Sequence, residues 1–232
     1  MRPLLFAFVA LVTLDGGVAH AQYIGGQSFN MIYQRNTSVF NSTMFRTAEL
    51  QALLKTKVQP PNIKPKAAPT WTWTKELTAT DFTPAGARTV PQQLAASVPE
   101  ADRASLIAAT EAIIPGIEGV PGFRKNNLAA AMTALLGVSL QVAAEVELTD
   151  DEAQTLMRAL NDAIAAQKSW PSMTDEERTT AYDTFVVLSG LMAGMSEQAK
   201  TTNDKALQKS VREMALTTLK KFDLTLPAKG KK

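Results

Sequence analysis

The sequence predicts an all-α fold: a compact bundle of five or six helices, preceded by a signal peptide, a weakly ordered segment and a Pro-rich linker. Three observations carry that prediction. Thr149 is followed three residues on by Glu152, and Thr174 by Glu177; each pair is a capping box, and each leads into apolar residues at helical spacing. From Leu128 to Leu148 the chain is apolar on nearly every side and meets its first charge only at Glu145, as a helix at the centre of a bundle does. Pro91 and Pro99 each stand where a proline opens a helix.

Taken in order, the chain begins with Arg2, an apolar run from Leu4 to Leu14, and Ala19 and Ala21 at the small-residue positions of a cleavage site. That is the pattern of a secretory signal over residues 1–21, cut after Ala21. The apolar run is too short to span a bilayer. No Cys follows it and no Arg pair precedes it, so the expectation is an exported protein, free in the periplasm or outside the cell. His20, the single histidine, would leave with the signal. With no cysteine in the chain, the mature protein must be held together by its core alone.

Residues 22–57 read as a weakly ordered N-terminal segment, with a short helix plausible from Ser42 to Lys57. Residues 58–70, with Pro60, Pro61, Pro65 and Pro69, read as a linker favouring extended backbone. The helical domain is expected at 71–226. It opens with an extended piece that puts Trp71, Trp73 and Leu77 on one side. A helix following Pro99 buries Leu106, Ile107, Ile113 and Ile114, and "PGIEGVPG" stops it. Asn126 or Asn127 caps the central apolar helix. The Thr149 helix presents Ala153, Leu156, Met157, Leu160 and Ile164; the Thr174 helix presents Ala181, Phe185, Leu188, Met192 and Met195. A last helix from Asp204 to Phe222 buries Leu207, Val211, Met214 and Leu219, and a basic tail covers 227–232. A domain of roughly 150 residues buries enough surface to stand without disulfides.

Composition removes whole classes of chemistry. A mature chain lacking His and Cys has lost the usual bases, thiol nucleophiles and zinc ligands. Neither S-x-x-K at Ser105, Ser139 or Ser210 nor G-x-S-x-G anywhere marks a serine hydrolase. "GIEGVPG" lacks the spacing of a phosphate cradle, and "LTDDEAQTLMRA" lacks that of a calcium loop, so no cofactor and no metal is implied. A formal charge of +2, unchanged when Arg2 and Asp15 leave together, gives no case for nucleic acid.

A few residues remain as candidates. Trp71 and Trp73 could stack on a sugar ring or receive a peptide, or fold down as an apolar strap over the helices. Arg124, Lys125, Asn126 and Asn127 meet at a helix N-terminus, where free N–H groups favour a carboxylate or phosphate; capping explains the asparagines equally well. Trp170 reads as a packing plug. Glu118, between Ile117 and Gly119, sits in an apolar loop suited to a general acid. The acids at 150–152 and 175–177 complement helix dipoles. Ser189, Gly190, Ala193 and Gly194 form a patch for close helix packing; Asp183 and Glu197 near that helix's ends argue against a membrane span.

The blocks "DFTPAGARTVPQQLAASV", "NNLAAAMTALLGVSLQVA" and "MTDEERTTAYDTFVVLSGLMAGM" resemble those of a family of bacterial exported helical proteins of unknown function, over about Thr74 to Phe222. The resemblance implies a periplasmic helical protein and brings no catalytic residues with it. The sequence reading is therefore a non-enzymatic envelope module binding a protein or glycan. Its alternatives are a carboxylate-dependent hydrolase of envelope polysaccharide using Glu118, and surface association through basic segments.

Overall fold

Asn127 starts the helix around which the rest of the molecule is arranged. Its extended backbone and side-chain oxygen, which accepts the Ala130 N–H at 2.9 Å, set off α4 (Leu128–Ala144). The computed structural model describes residues 26–37 and 73–223. The expected signal peptide, the 42–57 helix, the Pro-rich linker, Trp71 and the basic tail lie outside them. The other helices are α1 (Gly26–Thr37), α2 (Val90–Ala95), α3 (Glu100–Glu118), α5 (Asp150–Ala165), α6 (Asp175–Thr201) and α7 (Lys205–Lys221). Short 3-10 turns lie at Leu77–Thr80 and Trp170–Ser172, and among the described residues there is no strand.

The protein is all-α, and α4 and α6 form its centre. Leu128, Met132, Leu135, Leu136 and Leu140 of α4 are buried, as are Phe185, Leu188, Met192 and Met195 of α6. α5 and α7 pack against α4, and α1, α2 and α3 against α6. Both capping boxes are formed: Thr149 and Thr174 each accept an N–H from, and donate their own to, the Glu three residues on. α6 and α3 approach closely at Gly190, where a Cβ would lie 2.4 Å from Ile113 Cγ2. That contact is the use of the small-residue patch.

Two elements differ from expectation. α3 does not stop at Pro115 but runs one turn further to Glu118. Pro115 and Glu111, whose carbonyl loses its helical donor, are both exposed, while Ile114 and Ile117 stay buried and hold the turn to the core. α1 falls in the segment read as weakly ordered. Its two-residue apolar anchor, Ile32 and Tyr33, is too short to show as periodicity, yet both side chains are buried against α6 and α7. Tyr33 lies 6.0 Å from the Phe185 ring, and the Lys221 ammonium sits 4.1 Å from the Tyr33 ring. Asn36 Nδ2 donates to Gln93 Oε1 and Thr184 Oγ1. Among the described residues, 73–223 holds six α-helices, α2 to α7, and α1 makes seven.

No helix among the described residues is long and apolar enough to cross a membrane.

Candidate functional site

Residues 73–89 have little helix of their own, so their backbone groups need partners elsewhere. The helices supply them from side chains. Asp162 of α5 accepts the Thr74 N–H at 2.7 Å, the Thr74 hydroxyl at 2.9 Å and the Lys75 N–H at 3.2 Å. Its neighbour Asn161, fully buried, donates to Glu76 O and accepts from the Thr80 hydroxyl, both at 2.9 Å. Asn127 Nδ2 donates to Leu77 O at 3.0 Å, and the Trp170 indole N–H to Ala79 O at 2.9 Å. Ala85 N–H donates to Thr179 Oγ1 at 3.0 Å. The segment is a strap tied down by polar side chains.

Trp73 begins the described part of the strap. Its ring is partly buried against the core, with the Arg158 guanidinium 6.0 Å from its centroid. Trp170 is the plug its position suggested: 7% exposed, with the Arg178 guanidinium 4.5 Å from its ring centroid.

At the start of α4 the structure gathers Arg124, Asn126 and Asn127 around an internal carboxylate. Arg124 donates through Nε (2.8 Å) and Nη2 to Asp81 of the strap, and Asn127 Nδ2 donates to Asp81 Oδ1 at 2.7 Å. Asn126, at φ 52°, offers its carbonyl to the Phe82 N–H at 3.0 Å, and an isolated bridge links Asp81 and Asn127. Of the residues grouped at this helix start, Arg124 and Asn127 donate to Asp81, and Asn126 instead accepts from Phe82. Partial burial raises the Asp81 carboxyl, but the hydrogen bonds from Arg124 and Asn127 and the guanidinium charge outweigh it and hold the group below the usual carboxylate range. Lys125 stays exposed.

A second cluster joins the end of the strap to α3 and α6. Arg88 Nη1 donates to Asp183 Oδ1 at 3.0 Å, and its Nη2 lies 3.5 Å from Glu118 Oε1. The Tyr182 hydroxyl donates to the same Glu118 oxygen at 3.1 Å. Thus Glu118 is not in a loop but in the last turn of α3, tied to two partners. One guanidinium serves two carboxylates. The Asp183 side chain is 1% exposed and its Oδ2 has no hydrogen-bond partner among the described residues. Burial pushes the Asp183 carboxyl up, Arg88 opposes this and the Glu118 charge adds to it, leaving the group at about 6. Burial, then the charge and hydrogen bond of Glu118, push Tyr182 far above the ordinary tyrosine value, so its hydroxyl remains a donor.

Asp81, Arg88, Asp162 and Tyr182 were not singled out from sequence, and their partners explain why. Asp81 and Arg124 are 43 residues apart, Thr74 and Asp162 are 88, and Arg88 and Asp183 are 95. One signal was present: Asp183 interrupts an otherwise apolar helical run.

Fold and sites together define a helical domain in which the buried charged and amide side chains tie one segment to another. The chain belongs to DUF6683, a family of unknown function whose family model matches residues 1–224. Membership therefore reaches well beyond the Thr74 to Phe222 blocks, into the N-terminal part of the chain. No curated protein and no solved structure matches it.

Proposed function

We propose that this chain is an exported, non-enzymatic helical module of the bacterial cell envelope that binds an envelope protein or glycan. The leader-like first 21 residues and the absence of Cys and of any His beyond position 20 support export and a role without catalysis. The engagement of Glu118 by Tyr182 and Arg88 in the last turn of α3 favours a tie between helices over a general acid.

The observation that carries the binding reading is Trp73. Its ring is partly exposed on a strap whose course is fixed by Asp162 and Asn161, with Arg158 beside it. An aromatic surface already held in place loses little freedom on meeting a sugar face or a peptide.

The test is crosslinking of the tagged protein in its native envelope, capture, and identification of what comes with it by mass spectrometry. Trp73→Ala is expected to remove the captured partner while shifting the melting temperature by no more than a few degrees. Capture that survives the substitution, or that is lost only because the domain melts, overturns the assignment to Trp73. Turnover of envelope polysaccharide abolished by Glu118→Gln would instead make the protein an enzyme.

A further inference from the structure

The outward face of α7 carries a basic stripe that neither the strap nor the buried clusters use. Between Lys205 and Lys221 the helix holds five basic residues and a single acid, Glu213. At about 100° per residue, Lys205, Lys209, Arg212 and Lys220 fall within about 80° of one another around the axis and extend over about 22 Å. All four are exposed. The opposite face, with Leu207, Val211, Met214 and Thr218, is buried against the bundle. Lys200, exposed in the last turn of α6, adds a charge next to the α6–α7 turn. The acidic first turn of α6 lies at the far end of a helix about 40 Å long. Residues 73–223 hold 14 Lys and Arg against 20 Asp and Glu, so this stripe is a basic patch on an otherwise acidic domain.

Shape selects the partner. A small anion on this convex face would meet one or two of the charges, whereas a plane of fixed negative charge meets all of them. Lys221 is not part of the stripe: it is turned under Tyr33, and burial brings its ammonium down to about 8. Arg212 also has a structural duty, since its Nε donates to Ala143 O at the end of α4. No aromatic ring lies between Lys205 and Lys221 to stack on nucleic-acid bases.

We propose that α7 lays the domain on an anionic phospholipid surface through Lys205, Lys209 and Lys220, with Arg212 reinforcing them. This docking is independent of Trp73 and of any partner it binds.

The experiment is co-sedimentation of the full chain with vesicles of phosphatidylcholine alone or with about a third phosphatidylglycerol. Binding is expected only to the anionic vesicles, falling at least tenfold between about 50 and 200 mM salt as exposed charges are screened. Each lysine near a charged bilayer contributes about fivefold, so K205Q/K209Q/K220Q is expected to lose about a hundredfold, with an unchanged melting temperature and helical signal. A chain ending at Asp223, without Lys229, Lys231 and Lys232, separates the helix from the tail. The proposal is overturned by equal binding to both vesicles, by binding that survives the triple substitution, by binding that the truncation alone removes, or by binding to a nucleic-acid oligomer in place of vesicles.

Discussion

Asp81 and Asp183 each pair with one arginine, and the middle and the end of the strap that they anchor are in opposite energetic situations. Asp81 lies about one-third exposed and receives three side-chain hydrogen bonds, from Arg124 Nε, Arg124 Nη2 and Asn127 Nδ2. Asp183 is buried, shares its guanidinium with Glu118, and leaves Oδ2 without a partner. One carboxylate is stabilised as an anion; the other is held as an anion at a cost. The number of donors available to a charge, more than the presence of an ion pair, decides which sign its contribution takes.

The largest effect is expected at the carboxylate with full donors. Asn127→Ala removes the cap of α4 and leaves Leu77 O and Asp81 Oδ1 each one donor short. The cap accounts for about 1 kcal/mol and the forfeited bonds for about 1–2 more, read as lost unfolding free energy in urea. A loss below about 1 kcal/mol would show that the staple does not hold the strap, and the comparison would collapse.

Next comes the pH dependence of Asp183. Its folded value, about 6, lies above the ordinary carboxylate value, so the folded state binds the proton more tightly and stability rises as pH falls through 6. Wild type is expected to gain about 1 kcal/mol relative to Asp183→Asn between pH 7 and pH 5, compared in parallel urea titrations. Parallel curves across that window would mean that the buried carboxylate has found a donor.

The smallest effect carries the opposite sign. Asp81 is depressed in the folded protein, so its contribution is complete above about pH 4 and disappears as acid takes the pH down through its folded value. Arg124→Gln at neutral pH is expected to cost about 0.5–1 kcal/mol and less in high salt, because the pair is open to solvent. A cost insensitive to salt would place Asp81 with Asp183 as a buried ion.

What could be read before the structure was whatever is written locally. The capping boxes at Thr149 and Thr174, the Asn127 cap and the apolar stripes of α5, α6 and α7 each depend on residues within a few positions of one another, and each formed as spaced. α1 was not legible, because its helicity rests on Ile32 and Tyr33 meeting residues some 150 positions away. The strap was half legible: Trp73 could be placed on it, but its ties to Asn161, Asp162 and Trp170 join distant parts of the chain. Arg124, Asn126 and Asn127 were grouped as an anion-receiving end; Arg124 and Asn127 donate to a carboxylate of the chain itself, while Asn126 gives its carbonyl to the Phe82 N–H. That the anion is Asp81 of the same chain follows only from the strap's path, which spacing does not encode.

The attachment of α1 has a further consequence. A helix of 12 residues is marginal in water by itself, so α1 folds when it docks and unfolds when it leaves. Its anchorage on Ile32, Tyr33 and Asn36 is small beside the buried surface of α4 and α6. The amides of α1 are therefore expected to exchange with solvent hydrogen through a local opening, and those of α4 only when the whole domain unfolds. One native fold thus contains two thresholds, and a melting curve of the domain reports only the higher.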